Sequence, residues 1–204
     1  MSAGGRQAER TRATRAKLLA VARARFGRDG FAAVPAEDLV REAGMTRGAL
    51  YHQFGGKDGL FLAVYEDMQR EIATRIDAAA ATAPDAWEAL RRGCRAFLDA
   101  CVDPEVQRIV LLDAPAVLGW ERWRAVDNAQ GVALLAEGLR DAITAGALSA
   151  QPVEPLAHLL SGAMNEAGMW IARSPDPAAA HAQAVVALDR LLDGLRVHDN
   201  SADN

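Results

Sequence analysis

From Leu60 the apolar residues fall at every fourth position: Leu60, Val64, Met68, Ile72 and Ile76. That spacing lines one face of an α-helix, whereas a half-buried strand needs alternation at every second residue. The helical period recurs through nearly the whole chain. Ala16, Leu19, Ala22 and Phe26 precede Gly30; Ala36, Leu39, Val40 and Ala43 precede Gly44; Leu50 and Phe54 follow. Further on, Trp87, Leu90, Cys94, Phe97 and Cys101 step by three and four, with Pro84-Asp85 ahead of them as a start signal. Nowhere does a sustained period of two stand between turn residues.

The punctuation divides the rest. Asp103-Pro104 opens a helix expected to run to about Asp113 and to break at Pro115. A long helix through Trp120, Trp123, Leu134, Leu139 and Ile143 ends at Gly146. Pro152 and Pro155 start the next, and a last one carries Val185, Leu188, Leu191, Leu192 and Leu195. The expected fold is all-α with nine helices: a three-helix N-terminal head and a six-helix body, joined by the fourth helix. The expected organisation is a basic flexible arm at 1–11, the head at 12–58, the body at 59–197 and a polar tail at 198–204.

Charge separates along the same line. Residues 1–60 carry 11 Lys and Arg against 6 Asp and Glu; residues 61–204 carry 12 against 21. A basic head on an acidic body suggests a head that meets a polyanion. No apolar run approaches the roughly 20 residues that span a bilayer, and the N-terminus lacks the apolar core of a signal peptide. Cys94 and Cys101 are the only cysteines. Seven helical positions separate them by about 10 Å, too far for an unstrained disulfide. A reduced, cytoplasmic protein that makes no use of a membrane is expected.

The head contains the most specific pattern. Val40, Gly44 and Leu50 are spaced as in a helix-turn-helix: an inward apolar residue, a tight turn four residues on, and an apolar residue of the second helix six further. Thr46 is placed to cap that second helix. Arg47, Gly48 and Ala49 form its first turn, the part of a recognition helix that meets base edges. Arginine donates bidentately to guanine, glycine allows close approach, and the alanine methyl suits a thymine methyl. Tyr51, His52 and Gln53 are neutral hydrogen-bonding groups suited to phosphates or bases. Lys57 opens the next helix, where free N–H groups also favour an anion.

These residues carry a resemblance. Leu18-Leu19, Phe26, Gly30-Phe31, Asp38-Leu39, Ala43-Gly44-Met45-Thr46, "RGALYHQF", Gly56-Lys57-Asp58 and Leu60 resemble the DNA-binding domain of the tetracycline-repressor (TetR) family. "LLDAPAVLGWERWRAVD" is similar to a body segment of some actinobacterial-type members. The resemblance implies an all-α dimer with a C-terminal effector and dimerisation domain. It carries DNA contact onto Arg47, Gly48, Ala49, Tyr51, His52, Gln53 and Lys57, and the capping Thr46 is counted with them in the expected DNA-binding site. One residue departs: Pro35 stands where the family has a Ser or Thr cap, so the second helix is expected to hold Pro35 in its first turn, with Ala33 or Val34 as a poor cap. Arg10, Arg12 and Arg15, ahead of the first periodic stretch, are read either as an arm for DNA or as a solvated tail.

A single recognition helix covers few base pairs, so two copies reading a palindrome are expected. Leu156, Leu160, Ala163, Ala167, Val185, Leu188 and Leu192, on the last two helices, are the expected seam. The four tryptophans all lie in the body. An effector pocket is expected from Trp87, Phe97, Cys101, Asp113, Trp120, Trp123, Asn165 and Met169, with Asn165 as its polar anchor. The function expected is a homodimeric repressor released from a palindromic operator by a small-molecule effector. Two alternatives are a regulator switched by oxidation of Cys94 and Cys101, and a small helical enzyme using Asp113, His158 or a cysteine. No phosphate loop, nucleophile elbow or metal spacing supports catalysis, a metal site or a cofactor.

Overall fold

A computed structural model describes residues 3–197; the tail at 198–204 lies outside them, as do the side chains of Arg6 and Arg10. The described residues form nine continuous helices joined by short turns and loops. They are α1 (Ala3–Asp29), α2 (Ala36–Ala43), α3 (Arg47–Phe54), α4 (Lys57–Ala81) and α5 (Ala86–Ala100). In α6 a π-helical stretch, Val106–Asp113, continues into Ala114–Leu118. In α7, Trp120–Asp127, a π-helical stretch Asn128–Val132 and Ala133–Thr144 follow without a break. The last two are α8 (Val153–Arg173) and α9 (Pro177–Asp193). Among the described residues there is no strand, and the one extended pairing is a single bridge between Leu148 and Arg196.

Local chemistry sets most of these limits. Asp85 accepts a 2.8 Å hydrogen bond from the Glu88 N–H and caps α5, and Asp176 accepts 3.0 Å from the Ala179 N–H to cap α9. Three boundaries differ from expectation. Helix α1 takes in residues 3–11, expected as an arm ahead of it. Pro35 is the N-cap of α2 rather than part of its first turn: its carbonyl accepts from the N–H groups of Asp38 and Leu39, and no side chain caps the helix. Pro115 does not break α6, which ends at Gly119. The wider π turn just before it explains why. The Ala114 N–H reaches back to the Ile109 carbonyl, five residues away, which displaces the carbonyl that the proline ring would strike.

The chain forms two compact units. Of the described residues, one comprises 3–68 and 104–123, the other 69–103 and 124–197. In the first, α1 packs on α2 and on the π stretch of α6, and α2 on α3. Its core includes Leu18, Phe26, Leu39, Leu50, Phe61 and Tyr65, all fully buried. Phe26, Phe31 and Phe61 meet with ring centroids 5.0–5.6 Å apart. Burial of such side chains stabilises by about 1.5–3 kcal/mol each. In the second unit α5 lies against the later part of α7 and against α8 and α9, which also pack on each other. Leu90, Leu98, Leu139, Leu160, Ile171 and Leu192 are central to its core.

Candidate nucleic-acid interface and effector cavity

The turn between α2 and α3 is built as its spacing predicts. Val40 and Leu50 are buried, and Gly44 between them has φ 68°, a left-handed conformation that glycine adopts without strain. The Ala49 N–H donates to Thr46 Oγ1 at 3.2 Å, which starts α3. Thr46, Arg47, Gly48, Tyr51 and His52 are exposed, with Tyr51 at 52%. Ala49, Gln53 and Lys57 are half-buried. Lys57 Nζ stands 3.9 Å from the centre of the Phe31 ring, and partial burial lowers its pKa from the usual lysine value. The Gln53 side-chain oxygen is buried without a hydrogen-bond partner.

Three further residues shape this surface, of which Arg15 was expected only as part of an arm or a solvated tail. Glu37 on α2 pairs with Arg47 at 3.1 Å. Arg15 lies 4.3 Å over the Phe54 ring and donates to the Gln53 carbonyl at 3.3 Å, so α1 braces the end of α3. Gly59 is required by packing: a Cβ there would stand 1.7 Å from the Phe54 carbonyl oxygen.

Asp113, Trp120 and Trp123 lie in the N-terminal unit, and none of them lines the cavity of the C-terminal unit described next. Asp113 has a structural partner, accepting 2.8 Å from the Phe31 N–H and facing Arg108 at 3.4 Å. Trp120 is 69% exposed, and Trp123 is buried with its carbonyl 3.5 Å from the Tyr65 hydroxyl.

In the C-terminal unit a cavity of about 200 Å³ opens among α4, α5, α7 and α8. Ile76, Leu90, Cys94, Phe97, Leu134 and Met164 make apolar wall. Small residues are part of the lining: Ala89 and Gly93 on α5, Gly131 and Gly138 on α7. At one end sit Asp127, Ser161 and Asn165, all buried. Ser161 Oγ and Asn165 Nδ2 each donate to Asp127 Oδ2 at 3.3 Å, and Arg124 Nη1 reaches the same oxygen at 2.7 Å. Burial raises the Asp127 pKa above the usual carboxylate value, with Arg124 opposing. Of the eight residues expected in a pocket, Phe97 and Asn165 line this cavity. Trp87 is buried with the Arg196 guanidinium 5.2 Å from its ring, Cys101 is buried at the end of α5, and Met169 is half-buried off the cavity. His158 is exposed and contacts Arg124 at 3.2 Å.

The outer side of α8 and α9 carries exposed apolar residues: Leu159 (72%), Trp170 (47%), Val186 (51%) and Leu191 (49%). A groove between the helices is lined by Ala163, Ala167, Trp170, Ala187 and Leu191. The residues expected at a seam differ in their exposure. Leu160, Leu188 and Leu192 belong to the chain's own core, Leu156, Ala167 and Val185 are half-buried, and Ala163 alone of the seven is exposed. Cys94 and Cys101 are buried free thiols, and burial pushes both up to about 12. Among the described residues no His, Cys, Asp and Glu side chains group as a metal site, and no helix is long and apolar enough to cross a membrane.

A capped, polar, exposed recognition helix after a glycine turn, followed in sequence by a larger helical unit, defines a helix-turn-helix DNA-binding regulator. The chain belongs to the tetracycline-repressor family: residues 18–64 match "Bacterial regulatory proteins, tetR family", and residues 87–195 match "Tetracyclin repressor-like, C-terminal domain". A solved TetR-family transcriptional regulator from Pectobacterium atrosepticum is 42% identical, covering 93% of this chain and 97% of that one, with a TM-score of 0.84. A TetR-family regulator from Streptomyces coelicolor shares the fold at 24% identity and a TM-score of 0.71, over 96% of each chain. The transposon Tn10 TetC protein of Escherichia coli is 30% identical over 117 residues, which are 56% of this chain and 57% of TetC.

Proposed function

We propose that the chain acts as a homodimeric repressor, released from a palindromic operator when a small molecule fills the cavity of its C-terminal unit. The observation that carries this reading is a buried polar group, Asp127 with Ser161 and Asn165, in the wall of an otherwise apolar cavity. Buried polar side chains in such walls orient ligands. The reading head is supported by the exposed first turn of α3, with Arg47 and Tyr51 facing solvent. Dimerisation is supported by the apolar face of α8 and α9, whose Leu159 and Trp170 would otherwise stay in water. Helix α4 starts at Lys57 and its late residues Ile76, Asp77 and Ala80 line the cavity, so ligand binding displaces a helix that begins at the reading head. The effector then acts by binding one conformer better than the other.

Selection of bound DNA from a random pool tests the reading. Inverted repeats with half-sites about 34–36 Å apart, or a multiple, are expected. Sedimentation of Trp170→Glu and Leu191→Glu is expected to show monomers that no longer hold that DNA. A selected site without symmetry, or variants that remain dimeric, would sink the dimeric repressor.

A further inference from the structure

The charged residues of the cavity are all of one sign. Its lining includes Asp77, Asp127, Glu137 and Asp141, and no Lys, Arg or His. Asp77, Glu137 and Asp141 are exposed at the mouth, and none has an ion-pair partner among the described residues. Asp127 lies deep, 5% exposed. Its three donors, Arg124, Ser161 and Asn165, all meet Oδ2. Oδ1 receives none of these bonds and lies 3.4 Å from the place a Cβ would take on Gly131, itself part of the lining. The absent side chain thus leaves room beside an oxygen that no donor among the described residues meets.

We infer that the effector is a small lipophilic amine, bound as its ammonium with the apolar body among Ile76, Leu90, Phe97 and Met164 and the charged head toward Asp127 Oδ1. This rests on the reading of the cavity as the effector site. Arg124 offsets the Asp127 charge in the free protein and stays outside the lining, so the mouth carboxylates set the sign of the field an entering ligand meets. Apolar walls focus that field. A carboxylate ligand meets like charge throughout, and an alcohol forms only a neutral hydrogen bond, weaker than a charge-assisted one. The cavity, at about 200 Å³, falls below the roughly 300–1,000 Å³ of sites for drug-sized ligands. A body of one aryl ring and a short chain suits it.

Titration calorimetry of the full chain with 4-phenylbutylamine, 4-phenylbutan-1-ol and 4-phenylbutyrate tests this, because the three share one apolar body. The amine is expected to bind about tenfold tighter than the alcohol, the margin of a charge-assisted bond, with the carboxylate weakest. Asp127→Asn should abolish the amine preference. Asn leaves Arg124 without its carboxylate, so a second variant keeps that pair intact. Asp77→Asn/Glu137→Gln/Asp141→Asn, all at the exposed mouth, should shrink the preference. Equal affinities, a tighter carboxylate, no amine binding, or a preference unmoved by the mouth variant each overturn the amine assignment. A parallel gel shift separates the two readings. Release of DNA by all three compounds alike keeps the repressor and discards the amine. Selective amine binding without release keeps the amine and discards effector-driven release.

Discussion

On the proposed reading, Arg47 must leave Glu37 to contact DNA. The two side chains meet at 3.1 Å but are 65% and 60% exposed. A pair so wet holds its partner weakly, by a factor of at most about five. A bidentate contact to guanine discriminates by a factor of about 5 to 150, so on that reading the base should win and the internal pair should only subtract from binding. Glu37→Gln removes the competitor and keeps the side chain's shape. The expected outcome is DNA affinity up to about fivefold tighter, read by fluorescence anisotropy on the selected operator. The gain should shrink as salt is raised, since both charges are in solvent. Arg47→Ala should weaken binding by a factor of about 5 to 150, concentrated at one base position. The cycle between them is decisive. In an Arg47→Ala background, Glu37→Gln should lose most of its effect, because the residue it competes for is gone. A gain that persists undiminished there would show that Glu37 acts by general repulsion of phosphates and that Arg47 is not the reader.

Gly59→Ala should destabilise the N-terminal unit by about 1–3 kcal/mol, the cost of overpacking against backbone, and should lower DNA affinity; Gly48→Ala, with only Thr46 Oγ1 at 3.9 Å nearby, should fold as the parent does in the same denaturant titration. Cys94 and Cys101, pushed up to about 12 by burial, should ignore a disulfide reagent at pH 8 in the folded protein and both react once it is unfolded. Rapid labelling of native protein would revive a redox switch. Hydrogen bonds from Arg28 and Arg25 hold Asp29 at about 2, below its ordinary value of 3.8. A depressed carboxylate binds its proton less readily when folded, so its contribution is present above the ordinary value and lost as pH falls through about 2. Asp29→Asn should flatten that acid limb in thermal melts taken across the range.

Where neighbours in sequence decide a feature, the residues alone predict it. The nine helices follow from apolar spacing and caps within a turn or two, and so does the helix-turn-helix, whose turn, cap and buried pair fit within Val40 to Leu50. Pro115 marks the limit: its effect depended on a π turn upstream, and the helix went through. Composition pointed to aromatic residues for the pocket, but the cavity is lined mostly by aliphatic and small residues drawn from four helices, with no signal in any one helix alone. The same holds for the apolar stripes of α8 and α9. Period tells that a stripe exists, but a 100° step separates Leu160 in the core from Leu159 in water, and only the packing of α5 and α7 against those helices selects which side is buried. Helix existence and caps are local and written in the chain; cavity, buried face and the Asp127 cluster arise from contacts between residues more than 30 positions apart, which no local pattern encodes.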